Sequence, residues 1–291
     1  MARILITGGT GLVGKRLTQL LIDKNHEVLI LSRNPKNENE FKWDIVKNYI
    51  DEKAFKNIDF IIHLAGAGIA DERWTKKRKQ VIIDSRVKTA NLLFEKVNEL
   101  KLELKGFISA SGIGYYGAIT SKTIFKETDK SGSDFLAEVC QKWEAAAHQF
   151  SKINIPITIL RTGIVLAAKG GALEKMKTPV ISPLGSGKQY IPWIHIDDLC
   201  QMYIQSIEAN LIGIYNAVAP EHQTSITFSK TLAKSIKRPY LGIGVPAFML
   251  KILFGELAVI LLEGSRISTK KIEKNGYSFR FETLKKALNN L

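Results

Sequence analysis

Short apolar runs alternate along this chain with stretches in which apolar positions recur every three or four residues. Arg3–Thr7 reads as a strand, and Leu12, Leu17, Leu20 and Leu21 then follow a helical period that closes at Asn25, a residue suited to a left-handed cap. Val28–Leu31, Ile58–Leu64, Gly106–Ala110, Pro156–Leu160 and Ile214–Val218 predict further strands. Helical periods run from Thr75 to about Leu100, over Asp134–Ser151 and over Ile196–Glu208. Strands that alternate with helices in this way predict an α/β fold, a doubly wound parallel sheet with helices on both faces. After Arg161 the rhythm loosens, and residues 166–192 are rich in glycine and proline. From Ser225 the pattern is mainly helical. We therefore expect a domain over residues 1–224 with a loop-rich insertion at about 166–192. Residues 225–291 are expected to form a small C-terminal lobe that closes the substrate side.

Composition narrows the classes little. The apolar fraction of 45% is that of an ordinary globular protein. Cys140 and Cys200 fit neither a metal spacing nor a disulfide framework, which suits a reducing cytoplasm. A strand at the very start points the same way, since it leaves no room for a signal peptide. The run Leu241–Leu262 is the most lipid-like, yet Pro246, Lys251 and Glu256 interrupt it, so it reads as one or two buried or semi-buried helices and not as a membrane span. We expect it to dock on the sheet domain. A net charge of +14 invites a nucleic-acid reading. Its densest run, Lys76-Lys77-Arg78-Lys79, opens a helix without any accompanying recognition motif, so a solvated face is expected and no specific nucleic acid.

The chemistry lies first in Gly8-Gly9-Thr10-Gly11-Leu12-Val13-Gly14. Gly8 permits a tight turn off the strand, Gly11 lets backbone close on a pyrophosphate, and Gly14 lets the helix pack on the strand. The helix N-terminus adds free N–H groups and the positive end of its dipole. A dinucleotide is the ligand this arrangement suits.

With His63-Leu64-Ala65-Gly66, Ser109-Ala110-Ser111 through Tyr115-Tyr116-Gly117, and Trp193-Ile194-His195-Ile196-Asp197-Asp198, the chain resembles an extended short-chain dehydrogenase/reductase. Ile69–Trp74, Ser85-Arg86-Val87, Val245–Phe248, Gly255-Glu256 and Glu263-Gly264-Ser265 resemble the epimerase-like branch with a C-terminal domain of unknown function. In NAD-selective members an acid at the end of the second strand binds the ribose hydroxyls. Here Ser32 and Arg33 stand there instead, a pair suited to a 2′-phosphate, so NADP(H) is expected over NAD(H). The resemblance places Asp44 near the adenine, Leu64, Ala65 and Gly66 along the ribose and pyrophosphate, and Gly163 and Ile164 beside the nicotinamide. His63 reads as a buried structural histidine. Asp197 or Asp198 reads as the cap of the following helix.

Active members carry a tyrosine and, four residues later, a lysine. On the helix from Asp134, one frame puts Leu136 and Cys140 at those positions, and the other uses Lys142 and puts Glu138 where the tyrosine belongs. Neither gives the pair. Ser111 and Tyr116 are then the candidate catalytic residues, with Tyr115 a second phenol. Arg73, Trp74, Arg86 and Trp193 are candidate contacts for a small anionic or planar substrate. The resemblance implies an NADP(H)-dependent oxidoreductase or epimerase-like enzyme. The rival reading is an NADP(H) sensor without turnover. Neither substrate identity nor oligomeric state is written in a motif.

Overall fold

The computed structural model describes residues 1–291. The first half of the chain forms β1 (Arg3–Thr7), α1 (Leu12–Asp23), β2 (Glu27–Ser32), β3 (Glu40–Asp44), β4 (Tyr49–Ile50), β5 (Phe60–His63), α2 (Lys76–Glu99), β6 (Gly106–Gly112), β7 (Ile124–Phe125) and α3 (Phe135–His148). Then come β8 (Ile157–Thr162), β9 (Ile164–Leu166), α4 (Gly171–Met176), β10 (Trp193–His195), α5 (Ile196–Glu208) and β11 (Gly213–Ala217). The C-terminal part holds α6 (Ser225–Ser235), α7 (Ala247–Phe254), α8 (Val259–Leu262), β12 (Arg266–Ile267), α9 (Lys270–Lys274) and α10 (Leu284–Asn290).

Eight strands form one sheet in the order β11-β8-β6-β5-β1-β2-β3-β4. All its pairs are parallel except β3 with β4. Successive side chains of a strand face opposite ways, and both faces are covered here. Ile4 and Ile6 share one core with Leu17 and Leu21 of α1 and Leu199 and Tyr203 of α5. Leu5 points the other way, into a core with Leu92 and Leu93 of α2 and Ala147 of α3. The doubly wound α/β sheet is therefore as expected.

The helix boundaries rest on local chemistry. Thr75 accepts the Arg78 N–H at 3.1 Å to start α2, and one oxygen of Asp134 accepts those of Leu136 and Ala137 at 2.8 and 3.0 Å to start α3. Asn25 takes the left-handed conformation just past α1, at φ 61°. One capping expectation is corrected: His195, not Asp197 or Asp198, caps α5, its Nδ1 accepting the Asp197 N–H at 3.0 Å. Both carboxylates serve elsewhere. Asp197 grips Arg16 of α1 at 2.6 and 3.0 Å, and Asp198 accepts the backbone N–H groups of Arg280 and Phe281 at 2.9 and 3.0 Å.

The C-terminal residues share a core with the insertion. Phe228, Leu232, Leu284 and Leu288 pack with Leu166, Leu173 and Trp193. A parallel pairing of β12 with β7 ties Arg266 and Ile267 to Ile124 and Phe125. The apolar run from Phe248 docks only in part. Leu250, Leu257 and Ala258 are buried, whereas Phe248, Ile252 and Leu253 remain 64%, 69% and 61% exposed. Helix α7 lies at the rim, where Arg73 donates to the carbonyls of Ile252 and Leu253, so its outer side meets no partner element. No helix is long and apolar enough to cross a membrane.

Candidate functional site

The carboxyl ends of β1 and β5 meet at the side of the sheet where open α/β folds have their ligand crevice. Thr7 Oγ1 accepts the Ala65 N–H at 3.2 Å, and a Cβ on Gly8 would sit 3.0 Å from the Leu64 carbonyl carbon. Gly8 turns the chain at φ 70°. Gly14 is held so tightly that a Cβ would fall 2.2 Å from the Gly8 oxygen. Gly11 differs: a Cβ there would meet only that same oxygen, at 3.2 Å, and the residue is exposed. Gly11 is the N-cap of α1 but offers no side-chain cap, and the first turn holds no acidic residue. The N–H groups at the start of Leu12–Val13–Gly14 therefore have no side-chain acceptor from the protein. Such a helix start can accept an anion. Thr10 and Leu12 are exposed beside it, and Val13 is half-buried. Gly170 and Gly171, at φ 75° and 69°, lie over Leu12, while Lys175 of α4 reaches the Ala70 carbonyl at 3.4 Å. The insertion thus spans the crevice from α1 to the loop after β5.

At the β2 end, Ser32 is buried and its Oγ accepts the Asn34 N–H at 3.3 Å, while Arg33 is exposed. Lys42, which the sequence reading missed, pairs in register with Ser32 and donates to the Arg33 carbonyl. Two cations and a hydroxyl therefore gather there. Asp44 lies at the end of β3, where its Oδ1 accepts the N–H groups of Val46 and Lys47 at 3.0 and 3.3 Å and so shapes the hairpin turn.

The β6 and β8 ends are different in kind. Ser111 donates to Glu144 Oε1 at 2.7 Å, and Arg161 grips both oxygens of Glu144 at 2.8 Å. Arg161 Nη1 also donates to the Tyr116 hydroxyl at 3.1 Å, and Tyr116 donates to Asn216 Oδ1 at 2.6 Å. The Asn216 side chain then donates to the Ser268 carbonyl at 3.1 Å. Burial opposes the charge on Arg161, but the hydrogen bonds and charge of Glu144 outweigh it and hold the guanidinium above its usual pKa. Burial pushes the Tyr116 phenol up to about 12. Tyr115, half-buried, lies against the Arg161 guanidinium, with Cζ 3.3 Å from its ring centre. Glu144 and Arg161 as a buried pair escaped the sequence reading. The available signal was a lone arginine inside the apolar run Ile157–Leu160 and Thr162, which demands a counter-charge.

On α3, Leu136 and Cys140 line the β6 end. A Cβ on Gly114 would lie 3.1 Å from Leu136 Cβ, and one on Gly112 would lie 3.6 Å from Cys140 Sγ. Glu138 and Lys142 point elsewhere, exposed and paired with each other at 2.6 Å. Gly163 is wedged at the β8 end, where a Cβ would strike the Pro192 oxygen at 2.7 Å, and Ile164 next to it is half-buried. His63 is fully buried. The Trp143 indole N–H donates to its Nδ1 at 3.2 Å, so the proton sits on Nε2 and is donated to Thr89 Oγ1 at 2.8 Å. Burial, with the charge of Arg86, lowers its pKa to about 3.

The four candidate substrate residues do not converge. Trp74 is buried with Ile82, Val139 and Leu257, its indole N–H donating to the Ile69 carbonyl at 2.9 Å. Trp193 is fully buried in the core shared with α6 and α10. Arg73 is spent on α7. Arg86 is buried beneath Gly66, near Trp143. The basic run of α2 is partly paired: Arg78 bonds the Gly68 carbonyl at 2.6 Å and faces Asp71 and Glu72, and Lys79 meets Glu256.

Residues 4–217 match the NAD dependent epimerase/dehydratase family. The chain belongs to that family. Residues 245–291 match a domain of unknown function, DUF1731, which makes the whole an epimerase-like extended short-chain dehydrogenase/reductase with that C-terminal extension. Epimerase family protein SDR39U1 of Mus musculus is 33% identical, with 99% of each chain covered. Epimerase family protein SSP1921 of Staphylococcus saprophyticus is 34% identical over 100% of this chain and 99% of that protein. The solved structure of human SDR39U1 (isoform 2) with NADPH aligns at a TM-score of 0.88 and 31% identity, covering 99% of this chain and 98% of that one. A UDP-glucuronic acid 4-epimerase from Bacillus cereus in complex with NAD aligns at 0.75 and 20% identity over 99% of this chain and 96% of that one, a likeness of fold. An NAD(P)-binding family member is thus established.

Proposed function

We propose that this protein binds NADP(H) in preference to NAD(H) and acts as an atypical oxidoreductase or epimerase-like enzyme on a small molecule in the cytoplasm. The observation that carries the cofactor choice is the β2 end, where exposed Arg33 stands with Ser32 and Lys42 and no carboxylate. A 2′-phosphate finds charge-assisted donors there, whereas an acid would repel it. The NADPH in the human relative supports the same choice. In this reading Gly8, Thr10, Gly11, Leu12, Val13 and Gly14 hold the pyrophosphate, Asp44 lies near the adenine, and Leu64, Ala65 and Gly66 line the ribose. Gly163 and Ile164 flank the nicotinamide. Residues 1–224 carry the cofactor, and 225–291 close the substrate side; of the four candidate contacts only Arg86, which no carboxylate pairs, is left to meet a ligand, since Trp74 and Trp193 pack in cores and Arg73 is spent on α7.

The bound nicotinamide supplies or accepts a hydride. Ser111 orients the reacting oxygen and Tyr116 handles the proton, and both do so from within the Glu144–Arg161 cluster. A phenol pushed up to about 12 and already donating to Asn216 holds its proton firmly, so turnover on simple carbonyls is expected to be slow. That same engagement favours the second reading, a sensor in which the bound cofactor sets conformation without turnover. The test is calorimetric titration with NADPH and NADH, followed by single-turnover oxidation of NADPH against a carbonyl panel. Wild type should prefer NADPH, and Arg33→Ala should lose that preference by about tenfold or more. Equal binding of both cofactors by wild type defeats the Arg33 argument. Tight NADPH binding with no oxidation by any carbonyl moves the conclusion to the sensor.

A further inference from the structure

Arg86 is 6% exposed, and no carboxylate bonds it. Its Nη1 donates to the Ile82 carbonyl at 2.9 Å, its Nε is buried without a partner, and Nη2 bonds no protein group. Nε–H and Nη2–H lie side by side on a guanidinium, the edge that binds paired oxygens. An orphaned donor of this kind is costly unless a ligand completes it. Burial lowers its pKa only to about 10, so the group stays charged at neutral pH.

Its place in the fold says which ligand. Ordered across the sheet, the crevice runs from Arg33 at β2, past Gly8 at β1 and Gly66 after β5, to Ser111 at β6. Arg86 lies against Gly66, where a Cβ would stand 2.9 Å from Cζ, 3.1 Å from Nη2 and 3.2 Å from Nε, and its Cζ is 4.8 Å from the centre of the Trp143 ring. It is therefore beyond the glycine loop, on the way to the β6 end. Arg161 and Arg78 are committed, the first to Glu144 and the second to Asp71 and Glu72. At the β6 end α3 presents Leu136 and Cys140, against Gly114 and Gly112, and neither brings a cation.

We propose that Arg86 anchors the nicotinamide half of the dinucleotide, its Nε–Nη2 edge donating to phosphate or ribose oxygens where that half passes Gly66. The proposal rests on the cofactor reading above and transfers Arg86 from the substrate wall to the cofactor. Calorimetric titration of wild type, Arg86→Ala and Arg86→Lys with NADPH and with 2′,5′-ADP, which lacks the nicotinamide half, separates the possibilities. Arg86→Ala should weaken NADPH by about tenfold or more and leave 2′,5′-ADP within about twofold. Arg86→Lys, which keeps the charge but loses the paired edge, should fall between. Unchanged NADPH affinity overturns the proposal, as does an equal loss for both ligands. If Arg86→Ala does not fold by thermal melting, Gly66→Ala, whose Cβ presses on the guanidinium without removing its charge, should show the same selective loss, and its absence is equally fatal. Wild type that binds 2′,5′-ADP but gains nothing from the rest of NADPH also overturns it, whereas wild type that binds neither sinks the cofactor reading itself.

Discussion

The two ends of the crevice are built on opposite principles. At β1 and β2 the polar groups are left over: α1 starts without a side-chain cap, and Arg33 is exposed with no acid to hold it. At β6 and β8 the polar groups are used up, since Ser111, Glu144, Arg161, Tyr116 and Asn216 satisfy one another while 5% exposed or less. Unspent donors mark a place prepared for a ligand. A closed cluster marks a place prepared to stay as it is, and a substrate must displace one of its bonds to use it. Binding and chemistry are therefore not equally provided for in this molecule.

The contrast is most severely tested at Glu144. Glu144→Ala strands Arg161 in the interior and should cost about 3–5 kcal/mol in urea unfolding. A loss under about 1 kcal/mol would show that water reaches this end and that the cluster is not closed. Next comes Gly11→Val. Its Cβ meets one backbone oxygen, that of Gly8 at 3.2 Å, which must give by a few tenths of an ångström, so melting should fall only modestly, while the side chain takes the space the reading assigns to the anion and NADPH affinity should fall by about a hundredfold or more. Retained affinity would mean that the open end is not where the cofactor lies. Over the single pH unit just below 6.5, the smallest effect concerns His63, between the two ends. Its folded pKa of about 3 lies below the unfolded value of 6.5, so the unfolded chain binds the extra proton. Stability from this group is whole above pH 6.5 and declines by about 1.4 kcal/mol per unit as the pH falls from there toward 3. His63→Gln should flatten that part of the wild-type profile, and identical profiles would place water at the imidazole.

What could be read from the chain follows the same division. The glycine loop is a local arrangement, with its donors, turn and helix start inside seven consecutive residues, and each glycine's reason is visible in the spacing. Its strand, Arg3–Thr7, appears with the bounds the apolar run predicts. The closed cluster joins Arg161 to Glu144 across 17 positions and Tyr116 to Asn216 across 100, and no periodicity reports such pairings. Nor was Lys42 legible, because Glu40–Asp44 mixes charged and aromatic residues without alternation and resembles a loop. Trp74 and Trp193 carry no mark in the sequence that tells a ligand wall from a core indole, and burial separates the two only in three dimensions.

The bond from Asn216 to the Ser268 carbonyl has a consequence for how the molecule is made. At about 5–20 residues per second, a ribosome needs roughly eight to thirty seconds to travel from Tyr116 to Ser268. Through that interval the nascent sheet can assemble its strands while its polar centre waits for a segment not yet synthesised. The last portion of the chain thus acts as an inspection step. A polypeptide released before Ser268 carries its fault on β11, at the edge of the sheet, where quality-control proteases find unfinished molecules through their fluctuations.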